Sequence, residues 1–297
     1  MTDTQNEVFK TPVNKIRLFE HGAPGSQNLK LTRKYYTEDM PDGRVKHIVQ
    51  NITDPDIVPY IPDGIGNSTD RQRIPAVLII PGGAFRRLVY NFEGEDVAKW
   101  LNSMGIAAFV LECRLPSDEH DNAEDVPLID AMRAMRVIRG RAQEFGIDEA
   151  KIGVMGFSAG GFMAALLSTA YESDVYADYK YKDEYDKLSA RPDFAVCSYP
   201  VISIDDCIEA GKRYMSEEQV LERISDSKAK ILHKYNPDKL VRPDMPPVFI
   251  CETDDDRTTL SENSVGFYMA ARKAGVSAEL HIFRTCLLYT SPSPRDC

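Results

Sequence analysis

The segment Lys151-Ile-Gly-Val-Met-Gly-Phe-Ser158-Ala-Gly-Gly-Phe-Met-Ala-Ala-Leu-Leu167 runs from a strand-like stretch through a Gly156-Phe-Ser158-Ala-Gly160 turn into a helix-like stretch. A serine in so sharp a turn is lifted above the end of its strand. Only glycine two residues to either side leaves room for the neighbouring backbone. Such a turn needs a sheet beneath it and a helix behind, and the flanking pattern predicts both. From Ala76 onward, short apolar runs alternate with helix-periodic stretches. The runs are Ala76 to Ile80, Ile106 to Leu111, Lys151 to Met155, Phe194 to Tyr199, Val248 to Cys251 and Ala278 to Phe283. Runs of this kind are parallel strands covered on both faces.

The expected class is therefore α/β, with a mostly parallel central sheet and helices on both faces. Glu93 to Met104 places Val97, Trp100, Leu101 and Met104 on one stripe before Gly105, and Val126 to Phe145 is a second helix stopped by Gly146. Two β-like pieces in the polar N-terminal region, Lys30 to Tyr36 and Val45 to Ile52, predict a leading antiparallel hairpin. Charged, mostly helical sequence over 204–246, after the sixth strand, interrupts the β-α rhythm and is expected to be a lid.

With 297 residues, 43% of them apolar, the chain can bury one large core, and 1–285 is expected to be one domain. The net charge of −10 argues against nucleic acid or an anionic membrane surface as partner, since both demand clustered Lys and Arg. No apolar run approaches the ~20 residues that span a bilayer, and no signal-like start is visible, so a cytoplasmic location is expected. Cys113, Cys197 and Cys251 fall in apolar strand-like runs, where cysteine acts as a small hydrophobe, and with Cys207 they show no metal-ligand spacing.

Ser158 is the candidate nucleophile. Acyl transfer also needs donors aimed at the developing oxyanion, each worth roughly 3 to 4 kcal/mol. The amide of Ala159 would be one, and the loop Pro81-Gly82-Gly83-Ala84-Phe85 after an earlier strand would supply Gly83 and Ala84. The acid belongs on a loop after a later strand, where Val248 to Glu252 leads into Thr253-Asp254-Asp255-Asp256. Asp256 is preferred, with Asp255 as the alternative and a helix-capping acidic run as the plain structural explanation. The base should follow the acid in the chain, and only His281 does. It lies in the alternating run Ala278-Glu-Leu-His-Ile-Phe283, where a side chain points to a sheet face and not out of the strand end. His21, His47, His120 and His233 come too early.

Several stretches resemble the acetyl-xylan esterase and feruloyl esterase-like group of the α/β-hydrolase superfamily. They are Ile16-Arg-Leu-Phe-Glu-His-Gly-Ala-Pro-Gly25, Pro81 to Phe85, Trp100 to Phe109, Gly156 to Gly161, Arg191-Pro-Asp-Phe-Ala195 and Glu262-Asn-Ser264. The resemblance implies the α/β-hydrolase fold, a serine esterase without metal or organic cofactor, and an acetylated xylan fragment or sugar as substrate. The acid loop of that group, laid on Thr253 to Ser264, puts the acid at Asp256, with Thr259-Leu260 where the group has Val-Pro. Its histidine would fall at position 288, which is Leu288 here. Residues 286–297 resemble the translation of a sequencing-library adapter and are expected to be a non-native tail that leaves the chain without its base. The Tyr-rich stretch Tyr171 to Tyr185 could offer stacking platforms to sugar rings, or be a solvated loop. A prolyl oligopeptidase-like peptidase uses the same three groups but usually brings a further domain. A non-catalytic binding protein of the same fold is the other alternative.

Overall fold

The computed structural model describes residues 9, 13–65, 73–213, 216, 218–220, 226–256 and 258–285. Eleven strands are assigned among them: β1 Ile16–Arg17, β2 Lys34–Asp39, β3 Val45–Gln50, β4 Asp56–Tyr60, β5 Ile74–Ile80, β6 Leu88–Val89, β7 Ala107–Glu112, β8 Ile147–Phe157, β9 Ala195–Ser198, β10 Val248–Thr253 and β11 Ala278–Phe283. The large sheet has the order β1-β4-β7-β5-β8-β9-β10-β11. From β7 to β11 all pairs are parallel, while β4 runs antiparallel to β7 and β1 antiparallel to β4. Apolar runs become central strands because both faces are covered. Leu78, Ile79, Phe109, Val110, Ile152 and Val154 have no exposed surface.

The helices are α1 Asp96–Ser103, α2 Val126–Gly140, α3 Ala142–Phe145, α4 Ala159–Ala170, α5 Ile204–Lys212, α6 Asp226–Lys234 and α7 Ser261–Lys273. The chain steps one way along the sheet through α1 and the other way through α2, α4 and α7. Right-handed crossovers therefore put α1 on one face and the other three on the opposite face. On the face of β10 and β11 away from α7, Phe249, His281 and Phe283 form a row of rings 5.2 and 6.3 Å apart, with Phe249 and Phe283 more than a third exposed. No described helix is long and apolar enough to cross a membrane.

The expected hairpin forms as β2–β3, and it joins β6 in a separate three-stranded sheet. The antiparallel edge of the main sheet is β4 with β1, and Pro59 inside β4 reads against a strand. Two helix expectations are corrected. The stretch Glu93 to Met104 divides into a π-helical turn, Asn91–Glu95, followed by α1, and Met104 lies beyond the helix end, half exposed. Val126 to Phe145 breaks at Arg141 into α2 and α3.

One ion pair ties the loop after β7 to α2. Arg114 and Asp130 both have fully buried side chains, joined at 2.6 Å (Nη2 to Oδ1), and the Arg114 amide donates to Asp130 Oδ2 at 2.8 Å. The guanidinium also donates to Ser26 Oγ at 2.8 Å and to the Pro24 carbonyl, which fastens the N-terminal loop. Removing one partner strands the other charge in a dry interior, at a cost of about 3 to 5 kcal/mol. Urea denaturation of Arg114→Met is expected to show a loss of that size, and the double variant Arg114→Met/Asp130→Leu to recover most of it. Equal losses in both would show that the packing, not the stranded charge, dominates.

Candidate active site

Strand β8 ends at Phe157 and α4 begins at Ala159, so the reversal falls on Ser158, whose φ of +52° and ψ of −117° lie outside the regions a side chain ordinarily tolerates. Backbone bonds hold it there. The Ser158 amide donates to the Ser198 carbonyl at 3.0 Å, and the Ser158 carbonyl accepts from Phe162 at 3.0 Å and from Val201 at 3.3 Å. A Cβ on Gly156 would overlap the Gly160 carbonyl, and one on Gly160 would overlap the carbonyls of Ile80 and Pro81. The side chain of Ser158 is partly exposed.

The loop after β5 lies against this turn. A Cβ on Gly82 would stand 3.1 Å from Ser158 Cβ and 2.5 Å from the Phe157 carbonyl oxygen, so only glycine permits the approach. Gly83 then takes a φ of +139°, and Ala84 and Phe85 follow at +57° and +61°. The Gly82 amide is engaged by a carboxylate, whereas the amides of Gly83, Ala84 and Ala159 donate to nothing among the described residues. A cavity of about 20 Å³, roughly one water, touches Gly82, Gly83, Ala159 and Gly160. The structure therefore brings together the loop and the helix start expected to share an oxyanion.

Asp256 lies in the turn after β10, two strands from β8, a displacement of about 10 Å along the sheet edge. It is 4% exposed. Its Oδ1 accepts from the amides of Thr258 at 2.6 Å and Thr259 at 3.1 Å, and its Oδ2 from the Thr259 hydroxyl at 3.1 Å. Asp255 has a buried Oδ1 without a partner among the described residues. The Asp254 amide donates to the Phe283 carbonyl at 2.8 Å, so the chain leaves β11 beside this acidic turn. Position 288 and the tail 286–297 lie outside the described residues.

No histidine is recorded in contact with Ser158 or Asp256 among the described residues. His281 sits on the sheet face between Phe249 and Phe283, its Nε2 2.5 Å from Glu279. His120 Nδ1 is 3.0 Å from Ser26 Oγ, and burial pushes its pKa down to about 4. His47 stacks on Phe9, His21 lies tilted against Tyr181, and His233 is exposed on α6.

The 204–246 insertion begins where Asn263 Oδ1 accepts from the amides of Ile202 and Ser203 at 2.8 and 3.0 Å. Further along it, Lys234 Nζ meets Asp125 Oδ2 at 2.7 Å and the Tyr235 hydroxyl donates to the same carboxylate. Its anchors thus stand at the start of α7 and the start of α2. In the Tyr-rich stretch, the Tyr176 hydroxyl donates to Asp186 at 2.8 Å and the Tyr179 hydroxyl to the Gly22 carbonyl at 2.9 Å, which are structural tasks. Tyr181 alone of these three is exposed, at 44%, beside a cleft of about 270 Å³ that shares no lining with the Ser158 turn.

Among the buried acids that the sequence reading did not single out, two lie beside the Ser158 turn and the acidic loop. Glu93, 5% exposed, accepts from the Gly82 amide at 2.7 Å and from the Tyr199 hydroxyl at 3.2 Å, and burial pushes its pKa up to about 7. Glu252, 1% exposed on β10, accepts from the Ser264 hydroxyl at 3.1 Å and the Thr253 amide at 2.9 Å. Burial, aided by the charge of Asp256, pushes it up to about 8. An acidic residue inside the apolar run Val248 to Cys251-Glu252 was the available signal.

The BD-FAE family model matches residues 65–270. The chain belongs to the BD-FAE family. Two curated relatives of this BD-FAE chain are the acetylxylan esterase of Xylanibacter ruminicola, 30% identical over 210 residues, and endo-1,4-beta-xylanase B of Butyrivibrio fibrisolvens, 31% identical over 215 residues. The matches take in 70% and 72% of the chain but 39% and 32% of those proteins, so the chain spans well under half the length of either. The crystal structure of the acetyl ester-xyloside bifunctional hydrolase from Caldicellulosiruptor lactoaceticus superposes with a TM-score of 0.66 at 33% identity, covering 92% of this chain and 86% of that one. The carboxylesterase Cest-2923 from Lactobacillus plantarum, at 20% identity and a TM-score of 0.61, shares the fold. The BD-FAE chain thus has the α/β-hydrolase fold that its motifs predict.

Glu252 makes stability depend on pH. An unfolded Glu ionises near 4.5 and the folded one near 8. Between those values the folded chain keeps a proton that the unfolded chain releases, so stability falls as pH rises through the window. Glu93 acts in the same direction up to about 7. Glu252→Gln removes one of these losses. Its stability relative to the parent should be more favourable at pH 8 than at pH 5 by about 3 kcal/mol, read as a melting temperature several degrees higher. A difference that does not change between the two pH values would show that Glu252 stays ionised in the fold.

Proposed function

We propose that the chain is built as a serine carboxylester hydrolase that removes acetyl groups from xylan fragments or acetylated sugars through an acyl-serine. The observation that carries this reading is the strained, partly exposed Ser158, with Gly82 packed on its Cβ and, in the adjoining backbone, amides of Gly83, Ala84 and Ala159 that donate to nothing among the described residues. Ser158 Oγ attacks the ester carbonyl carbon while a base takes its proton, and the three amides receive the negative oxygen. The base returns the proton to the departing sugar hydroxyl. Water, deprotonated in turn, then attacks the acyl-serine and releases acetate and the free serine. Asp256 is assigned to orient the base and stabilise its charged form. The acetylxylan esterase relative and the acetyl ester-xyloside hydrolase structure support an acetylated xyloside as substrate.

Two further assignments belong to the same reading. Residues 1–285 form the hydrolase domain, with 204–246 as a lid, supported by the insertion's anchorage at α7 and at the start of α2. The chain as written, whose 286–297 segment is assigned as non-native, is without a base, supported by the positions of its five histidines. Loss of the base from such a triad costs on the order of 10⁶-fold in turnover. The chain is therefore expected to hydrolyse p-nitrophenyl acetate at no more than the rate of its Ser158→Ala variant, and added imidazole to raise the parent above that variant. Ordinary esterase turnover without imidazole, abolished by Ser158→Ala, would overturn the missing base. Imidazole stimulation that is the same in parent and variant would overturn Ser158 as nucleophile.

A further inference from the structure

The loop that carries Gly83 and Ala84 is held through its carbonyls, Gly82 accepting from the Val89 amide at 2.9 Å and Gly83 from the amides of Arg86 and Arg87 at 3.2 and 3.3 Å, and through buried Phe85, edge-on to Phe162. It contains two glycines, its φ is positive at three consecutive residues, and the amides it presents are free of protein partners among the described residues. Those bonds engage the carbonyls of the loop and leave its amide side to other contacts. On that side one side chain reaches it. Glu93 Oε2 accepts from the Gly82 amide at 2.7 Å, immediately before the two residues in question.

Glu93 is itself held on three sides. It lies in the π-helical turn Asn91–Glu95, where the Glu95 amide reaches back to the Tyr90 carbonyl at 2.8 Å, a widened turn of the type that recurs at functional sites. Asn91 fastens that turn to β3, donating to the Val45 carbonyl at 2.8 Å and accepting from the His47 amide at 2.9 Å. Gly94 presses against Val110 of β7, where a Cβ would stand 3.0 Å from Cγ1. The second oxygen, Oε1, accepts from the Tyr199 hydroxyl at 3.2 Å, and Tyr199 directly follows Ser198, whose carbonyl receives the Ser158 amide. One carboxylate therefore joins the oxyanion loop to the strand end that holds the nucleophile. A Cβ placed on Gly82 would lie 2.7 Å from this carboxylate and 3.1 Å from Ser158 Cβ, so loop, acid and nucleophile meet at one point.

Glu93 is buried, and a buried carboxyl costs stability unless its hydrogen bonds hold something in place. We propose that Glu93 is a positioning residue, which clamps the Gly82 amide so that the next two amides face the oxygen of the acyl group on Ser158. This rests on Ser158 being the nucleophile. Glu93 touches neither the acyl group nor the attacking oxygen, so its effect is on the alignment of donors.

Phosphorylation of Ser158 by paraoxon, with imidazole supplied as base, reports on that alignment, because the phosphoryl oxygen needs the same donors. The chain is used as it stands, with p-nitrophenol release and the mass of the Ser158 peptide as readouts. Glu93→Gln keeps an acceptor for the Gly82 amide and should retain the maximal rate within about threefold. Glu93→Ala should lose roughly ten- to a hundredfold in maximal rate, with the paraoxon concentration for half-maximal rate little changed. Glu93→Asp, a methylene too short, should fall with the alanine variant. Circular dichroism and melting curves identify folded variants, and if Glu93→Ala is unfolded the comparison of Gln with Asp decides. Equal maximal rates in parent, Gln and Asp variants would overturn the positioning role while leaving Ser158 as nucleophile. Absence of label on Ser158 in the folded parent would overturn both.

Discussion

Everything at this site depends on a contact between backbones that no side chain could enter. Gly160, in the first turn of α4, rests on the carbonyls of Ile80 and Pro81, and Gly156 rests on Gly160. These contacts bring the end of β8, the start of α4 and the loop after β5 into a space where a Cβ would find an oxygen already in place. The strain at Ser158 follows from that closeness, as does the approach of Gly82 to the nucleophile. The parallel sheet makes it possible, since β5 and β8 are neighbours whose C-terminal ends finish together, with Ile80 opposite Gly156.

Around this contact the fold buries several acids. Glu93, Glu252 and Asp256 are all buried near the strand ends, and the first two have pKa values raised by desolvation. Their hydrogen bonds come from backbone amides and hydroxyls: Gly82 and Tyr199 for Glu93, Thr253 and Ser264 for Glu252, Thr258 and Thr259 for Asp256. The contrast with Arg114 and Asp130 is informative. There two full charges neutralise one another and serve as a structural tie, whereas near Ser158 the acidic side chains hold loops through neutral donors.

Much of the architecture was legible because parallel strands and their helices have distinct periods. The central strands β5, β7, β9 and β10 and the second half of β8 fall on short apolar runs, and β11 on an alternating one. The edge was less visible, since β4 contains Pro59 and β1 is two residues long. The break at Arg141 and the π-helical turn at Asn91–Glu95 could not be read, because an apolar stripe spaced three and four residues apart is nearly the same on an α-helix and on a locally widened one. Among the tyrosines, composition suggested one role for the whole stretch. The fold divides it, using Tyr176 and Tyr179 to fasten loops and leaving Tyr181 exposed.

Local sequence alone determined the strand-turn-helix at Ser158, the glycines around it and the acidic run after β10, because these depend on contacts within a few residues or on a single strand's burial. Only the tertiary structure decided what those elements meet. Glu93 lies 65 positions before Ser158, and its spacing carries no sign of the Gly82 amide or the Tyr199 hydroxyl, since both partners come from other elements of the fold. Where the histidines lie relative to the serine was likewise settled by packing between distant segments, which a one-dimensional pattern does not encode.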